Sequence, residues 1–293
     1  MQKMARSRFL YHILALITVF IWSVTFVSSK VLLQHGLSPA EIFALRFTLA
    51  YITILPFSHS RMWCDSIKDE LIMVVLGASG GSLYFLAENS ALQYTGASNV
   101  CLLVCSAPLV TAFLAHWFGK DEKISRRLIT GSLIAFAGAA LVIVEDWHHM
   151  QLRIVGDLLA LGGALSWAVY QLLIKRVYGR YATIFITRKV FAYGLLTILI
   201  FFAFDTPEFR LDILTRPTVI GNLLFLGFIA SCLCFWVWNV IIGHLGAVVS
   251  SNYIYLQPMF AAAASSIFIG EPVTVTVISG AILIIAGVYW AEH

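Results

Sequence analysis

Apolar runs of about 20 residues recur along nearly the whole chain, and they constrain the fold more than any other feature of the sequence. A helix rises about 1.5 Å per residue, so each run is long enough to cross roughly 30 Å of hydrocarbon. Of the 293 residues, 60% are hydrophobic and 12% are charged, whereas about 25% of residues are charged in soluble domains. The sequence therefore predicts an all-α membrane protein with almost no extramembrane domain.

The pattern predicts ten transmembrane helices joined by short loops, most of which contain glycine or proline. The expected ranges are 9–33, 39–57, 70–91, 97–118, 126–145, 155–178, 183–204, 218–241, 247–269 and 272–290. The first run is basic at its start, as in a signal peptide, but it is too long and no small-residue cleavage site follows it. We therefore expect it to remain in the protein as the first span.

The Lys and Arg residues predict the orientation in the membrane. Twelve of the nineteen lie in loops on the side of the N-terminus, three lie on the other side and four lie within spans. Cytoplasmic loops are enriched in Lys and Arg, so both termini are expected in the cytoplasm of a multi-pass protein of the cell membrane. The net charge of +4 is explained by this topology. It does not indicate nucleic-acid binding, because the basic residues do not form one basic face.

The second half of the chain repeats the first. Trp22 and Lys30 recur 145 residues later as Trp167 and Lys175. Further matches follow in chain order at offsets of 142–150 residues: Arg46 with Arg188, Phe85 with Phe235, Asn89 with Asn239, Pro108 with Pro258, Gly131 with Gly280, and Gly138 with Gly287. The sequence therefore divides into two five-helix repeats, 1–146 and 151–293.

The odd number of helices in each repeat decides the architecture. A unit of five spans ends on the side opposite its start, so the second copy must enter the membrane upside down. The expected fold is ten transmembrane helices as two inverted five-helix repeats, a plan that many secondary transporters use for alternating access.

Charged residues within spans are functional candidates, because each costs about 2.5–3.5 kcal/mol on insertion scales. Lys30, Arg46 and Glu88 are expected to cluster in the outer half of the first repeat, and Arg188 lies in the second repeat. We expect Glu88 to pair with Arg46 or Lys30. The alternatives are snorkelling to the headgroups and fixed interhelical pairing.

Polar and aromatic residues within spans form a set suited to an amphipathic solute. Trp22 and Trp167 lie mid-span, where an indole N–H needs a polar partner or water. With them we assign to a substrate cavity Ser23, Tyr84, Asn89, Asn99, Tyr170, Gln171, Trp236, Asn239, Asn252, Tyr253 and Gln257. Each could instead form an interhelical hydrogen bond. Pro108 and Pro258 break the fourth and ninth helices at matched positions and are expected near the substrate path.

The sequence offers no cofactor or metal signature. The five Cys lack Cys-x-x-Cys or Cys/His spacing. The glycine-rich stretches lack the strand and the Lys-Ser/Thr of a phosphate-binding loop, so we interpret them as close helix contacts. We therefore expect neither a metal nor another cofactor.

These residues resemble the EamA family of the drug/metabolite transporter superfamily. The resemblance rests on Trp22-Ser with Lys30, Arg46, Asn89-Ser-Ala-Leu, Pro108, Gly156-Asp-Leu-Leu-Ala with Ser166-Trp-Ala and Lys175-Arg, and Gly246-Ala with Pro258 and Gly270-Glu271. It covers essentially the full chain. It implies ten spans, a central cavity between the repeats and secondary transport, usually export of small metabolites such as amino acids. Glu271 of the Gly270-Glu271 motif joins Glu88 as a candidate gate or proton site.

The leading hypothesis is a secondary transporter that exports an amino acid or a similar small amphipathic metabolite. A phosphorylated or nucleotide-linked solute would require Arg46, Arg188 or Lys175 to face the cavity. An intramembrane enzyme acting on lipid would need a catalytic constellation, and the sequence contains none. A sensor or assembly subunit would have a filled core. The expected partners are a small solute and the bilayer; the oligomeric state stays open, and a monomer is compatible with the sequence.

Overall fold

The apolar runs fold as helices that leave the loops very short. The structure, a computed structural model of the chain, describes residues 2–58, 61–95, 97–118, 125–143, 154–203, 206–269 and 274–292. Its helices, in chain order, are α1 (Gln2–Gln34), α2 (Pro39–Phe57), α3 (Ile67–Tyr94), α4 (Ala97–Val104), α5 (Ala107–Phe118), α6 (Arg126–Ile143), α7 (Ile154–Val177), α8 (Thr183–Phe202), α9 (Leu211–Leu214), α10 (Pro217–Leu245), α11 (Ala247–Asn252), α12 (Gln257–Ile269) and α13 (Val275–Glu292).

Seven helical segments of the described residues are long and apolar enough to cross a membrane. They are Arg8–Gln34, Pro39–Phe57, Ile67–Tyr94, Val100–Phe118, Ile154–Val177, Thr183–Phe202 and Pro217–Leu245, and Val275–Ala291 is a shorter apolar helix. The protein is therefore an all-helical membrane protein in the part of the chain that the structure describes. Several predicted ends were too conservative: α3 begins three residues earlier and ends three residues later than expected, and α10 continues to Leu245. Gly246 follows α10 with φ +92°, a left-handed conformation that favours glycine.

The two mid-span prolines lie where helices restart. Pro108 is the second residue of α5, directly after the break at Cys105 and Ser106. Pro258 is the second residue of α12, directly after the 3-10 turn Tyr253–Leu256. A proline fits the first turn of a helix because that turn has no intrahelical acceptor for its N–H. The two breaks lie 150 residues apart in the chain.

Two π-helical turns also recur at this spacing. Ala78–Ser82 interrupts α3, and Phe225–Leu233 interrupts α10. Gly81 in the first turn has φ −118° and ψ −105°, so the α-helical hydrogen-bond pattern is broken there. Such bulges are common at functional sites. Hydropathy periodicity is too coarse to reveal one extra residue in a helical turn, so the sequence analysis did not predict them.

Helices α6 and α13 make the most extensive helix pair of the bundle. A Cβ atom at Gly131 would lie 2.5 Å from the carbonyl oxygen of Gly287, and one at Gly138 would lie 2.7 Å from that of Gly280. These contacts are between backbones, as in the small-residue interfaces of membrane helices. The interpretation of these glycines as close helix contacts agrees with this geometry.

Candidate solute chamber

A small chamber lies inside the bundle, and helices from both halves of the chain line it. Its free volume is about 30 Å³, enough for about one or two water molecules. A larger solute can enter only in a conformation in which the walls move apart. The lining residues are Trp22, Thr25, Phe26, Arg46, Tyr84, Phe85, Glu88, Val104, Trp167, Phe235, Ile254 and Gln257.

Arg46 of α2 provides the positive charge of the chamber. Its side chain is 1% exposed, and its guanidinium lies 4.2 Å above the centre of the Phe85 ring. Nε donates a 2.9 Å hydrogen bond to Oγ of Ser231, whereas one terminal nitrogen, Nη1, has no hydrogen-bond partner among the described residues. A buried guanidinium with a free donor can recognise an anionic group, because charge-assisted hydrogen bonds are among the strongest in proteins.

Glu88 of α3 provides the carboxyl group of the chamber. It is 3% exposed, and its polar neighbours are Tyr84, one turn earlier on α3, and Arg46. The ion pairs of the described residues do not include a direct contact of Glu88 with Arg46 or Lys30, although Glu88 and Arg46 lie close enough to interact electrostatically. The pairing of Glu88 with Arg46 stays a prediction. Lys30 does not belong to the cluster, because its side chain is exposed at the end of α1. Arg46 and Glu88 therefore share the chamber without a direct ion-pair contact in this conformation.

Aromatic rings surround these two side chains. The Trp22 and Trp167 rings pack edge to face with centroids 5.4 Å apart, and both contact Phe235. The Trp22 indole donates a 2.9 Å hydrogen bond to the carbonyl oxygen of Ala230. The Trp167 indole nitrogen has no partner in the described part of the chain, so it is a second free donor. Gln257 has a free amide oxygen as a potential acceptor.

Several other residues assigned to the cavity from the sequence do not line it. Tyr170 donates a 2.5 Å hydrogen bond to Oδ1 of Asn239, whose Nδ2 donates to Thr187 at 2.9 Å. Ser23 donates to the Phe20 carbonyl oxygen at 2.6 Å within its own helix. These side chains are therefore committed to interhelical or local hydrogen bonds, the alternative that the sequence left open.

The remaining predicted residues are more dispersed. Asn252 accepts a hydrogen bond from Ser132, and Tyr253 contacts His12. Trp236 is 39% exposed, so its assignment to the cavity is wrong: it lies on the outer surface of the bundle. Asn89 and Gln171 are fully buried, and their amide groups have no partner among the described residues, but neither is among the residues that line the chamber. The side chain of Asn99 and all of Glu271 lie outside the described residues.

The apolar part of the lining was not predicted from the sequence. Phe85 and Phe235 were recognised as a matched pair of the repeat but were not assigned to the site, and Val104 and Ile254 also lie 150 residues apart. Val104 and Ile254 each lie four residues before one of the two prolines, so Pro108 and Pro258 mark breaks beside the chamber without lining it. The signal that could have found these residues is the combination of repeat register and proximity to the helix breaks.

Arg188 lies in a different cluster. It is 3% exposed and donates hydrogen bonds to the backbone carbonyl oxygens of Ser58 and Arg61, in the connection between α2 and α3. The adjacent Lys189 pairs with Glu70, and Arg180 donates to both carboxylate oxygens of Asp69 at 3.0 Å. This network connects the start of α3 to the region around the start of α8.

A helical bundle with seven apolar spans and a charged, aromatic chamber between its halves is typical of a polytopic membrane transporter. The model of the EamA-like transporter family matches residues 9–144 and again residues 154–291. The chain therefore belongs to the EamA-like transporter family.

The chain is similar over nearly its full length to several curated proteins. It is 27% identical to an uncharacterized transporter of Archaeoglobus fulgidus, covering 95% of this chain and 96% of the relative. It is 26% identical to a probable amino-acid metabolite efflux pump of Salmonella typhimurium, covering 94% and 92%. It is also 26% identical to a probable terminal-alkyne amino-acid exporter of Streptantibioticus cattleyicolor, covering 93% and 90%. A crystal structure at 16% identity shares the fold, with a TM-score of 0.76 over 98% of this chain and 96% of that chain.

Proposed function

We propose that the protein is a secondary transporter that exports a small zwitterionic metabolite, most simply an amino acid, by alternating access. The chamber carries this proposal. Arg46 and the Trp167 indole offer free donors for a carboxylate, and Glu88 with the Gln257 amide oxygen offers acceptors for an ammonium group. The aromatic and aliphatic lining suits the side chain of the solute. The names of two relatives, an efflux pump and an exporter of amino acids, support the solute class and the outward direction.

The architecture in this proposal is ten spans arranged as two inverted repeats, 1–146 and 151–293, with both termini in the cytoplasm. The contacts between α6 and α13 support it. Gly131 and Gly138 match Gly280 and Gly287 in the repeat, and the contacts join Gly131 to Gly287 and Gly138 to Gly280. Exchanging the two halves converts one contact into the other, as a two-fold axis between antiparallel copies requires. The matched π-helical turns of α3 and α10 support the same relation.

A phosphorylated solute fits this chamber less well. A phosphate monoester carries about 1.5 to 2 negative charges at pH 7, whereas the lining supplies one guanidinium and one carboxyl group, Arg46 and Glu88. Arg188 is bound to backbone carbonyl groups in this conformation and Lys175 is absent from the lining. The carboxyl group of Glu88 can accept hydrogen bonds from the ammonium group of a zwitterion, whereas a phosphate offers mainly acceptor oxygens.

Transport by the purified protein in liposomes tests the proposal. The panel contains the twenty radiolabelled standard amino acids, matched carboxylic acids and amines that lack one of the two charges, and a sugar phosphate. Each is assayed with and without a pH gradient against protein-free liposomes. We expect saturable flux of one or more apolar amino acids and much weaker flux of the singly charged analogues. Flux of the sugar phosphate alone, or no flux above protein-free liposomes for any amino acid, would contradict the proposed function.

A further inference from the structure

Arg188 is a buried cation held only by neutral groups. Its two terminal nitrogens donate to the carbonyl oxygens of Ser58 and Arg61, and among the described residues no carboxylate pairs with it. Its cationic neighbours differ, since Arg180 and Lys189 have Asp69 and Glu70 as partners. Carbonyl dipoles leave the net charge of Arg188 uncompensated, so an anion could replace them favourably.

The repeat indicates where such an anion would bind. Arg46 matches Arg188 and Phe85 matches Phe235. The Arg46 guanidinium lies over the face of Phe85 at the chamber wall. Phe235 lines the same chamber, but the cation–π contacts of the described residues do not include a cation over its ring. In a conformation with the roles of the halves exchanged, Arg188 would take the position over Phe235 that Arg46 has over Phe85.

The connection between α2 and α3 supplies both carbonyl groups that hold Arg188, so its position would control such an exchange. The described part of the connection is fastened by exchangeable polar contacts. The Cys64 amide donates to Glu70 at 2.8 Å, and the Asp65 amide donates to the Tyr181 hydroxyl oxygen at 3.0 Å. Separation of the connection from α8 would release Arg188 from both carbonyl groups at once.

We propose that Arg188 is a second, alternately exposed anion site, which takes the carboxylate of the solute at the Phe235 wall when the connection between α2 and α3 moves away from α8. This inference rests on the proposed function. Arg46 and Arg188 then serve opposite faces of the membrane. When one guanidinium group is available in the chamber, the other is bound to backbone carbonyl groups of the opposite half of the chain. The carboxylate is recognised on both sides of the cycle without a single site that has to face both ways.

The test compares Arg188→Gln with Lys189→Gln, a neighbouring cation that pairs with Glu70 instead of facing a neutral partner. Transport of radiolabelled L-leucine is measured in right-side-out and inside-out membrane vesicles, so that each face is sampled separately. Leucinamide, which lacks the carboxylate, is the competitor. For Arg188→Gln we expect the KM for leucine to rise about tenfold or more at the face that carries the α2–α3 connection, with a change below about threefold at the opposite face.

The preference for leucine over leucinamide shows whether Arg188 recognises the carboxylate of the solute or only supports the structure. Arg188→Gln should lose this preference at the face of the α2–α3 connection and keep it at the other, whereas Lys189→Gln should keep it at both. Arg188→Lys, which restores the charge, should recover part of the preference. Preference retained by Arg188→Gln at both faces, or KM values raised equally at both faces, would overturn the second site and leave the proposed function intact. Absence of leucine transport by the unmodified protein, with the other amino acids also inactive, would overturn both proposals.

Discussion

Replacing Arg46 with glutamine should weaken solute binding, and the size of the loss can be worked out from the hydrogen bonds of the Arg46 guanidinium group. The Nε group donates to Ser231 at 2.9 Å, and Nη1 is a donor without a hydrogen-bond partner among the described residues. One hydrogen bond to a charged group contributes about 1.5–3 kcal/mol, and about 1.4 kcal/mol corresponds to a factor of ten in affinity. We therefore expect the Kd of the transported amino acid to rise about 10- to 150-fold in the variant.

Two further variants separate the charge of Arg46 from its position. Ser231→Ala removes the acceptor of Nε but keeps the guanidinium over Phe85, so the expected loss is about 1 kcal/mol, or roughly fivefold in Kd. Arg46→Lys keeps the charge. Its compact ammonium cannot maintain the planar geometry that contacts Ser231 and a carboxylate together, and we expect an affinity between those of the unmodified protein and Arg46→Gln.

Binding of radiolabelled leucine and leucinamide to the purified protein measures these effects, with thermal unfolding in detergent as the control for folding. Arg46→Gln should weaken leucine binding much more than leucinamide binding. If the folded variant binds leucine within about threefold of the unmodified protein, Arg46 does not contact the carboxylate. Equal losses for both ligands would mean that Arg46 supports the chamber wall instead of recognising the solute.

Three further outcomes follow from packing and burial. Gly287→Ala should destabilise the protein by about 1–3 kcal/mol in detergent unfolding, because the added Cβ would lie 2.4 Å from the backbone nitrogen of Ala135. Gly162→Ala is the control and should not destabilise it, because no described atom lies within 4 Å of the added Cβ. Equal stability of the two variants would refute the close contact at Gly287. Burial raises the pKa of the Cys64 thiol to about 12, so the rate of its alkylation should still rise about tenfold per pH unit between pH 9 and 10. This rate is obtained by comparing the unmodified protein with Cys64→Ser. A plateau of the rate above about pH 9 would contradict the raised pKa. Trp167→Ala should reduce the transport rate by a larger fraction than it reduces the stability measured by thermal unfolding. Normal transport by this variant would exclude Trp167 from the solute path.

The sequence was sufficient to predict an all-helical membrane protein but not the direction in which every side chain points. Apolar residues face both lipid and the protein interior in a membrane bundle, so hydropathy does not distinguish the two sides of a helix. Trp236 and Trp238 illustrate the problem. They are two residues apart, about 200° around a helix, and the first is exposed whereas the second is fully buried. Trp236 was predicted to line the cavity, although Trp238, two residues later, is the one that contacts Trp22 inside the bundle.

Charged residues were easier to locate than to pair. Arg46 and Glu88 were singled out because intramembrane charge is costly, and both line the chamber. Their separation could not be predicted, because it depends on the Ser231 hydroxyl and the Phe85 ring, which hold the guanidinium in place. Lys30 has a long flexible stem near a helix end, which allows its ammonium group to reach the surface. A span containing a charge therefore does not reveal whether that charge faces a chamber or a membrane surface.

The two halves of the chain contribute matched residues to the wall of the chamber but different charged groups. Matched pairs supply much of the wall: Trp22 with Trp167, Phe85 with Phe235, and Val104 with Ile254. The charges are not symmetric, because Glu88 is matched by Trp238 and the counterpart of Arg46 is bound to the α2–α3 connection. In the proposed cycle, a symmetric apolar wall lets either half close the chamber with similar contacts. The unmatched carboxyl group of Glu88 then gives the solute's ammonium group one fixed partner, while the carboxylate exchanges between two guanidinium groups.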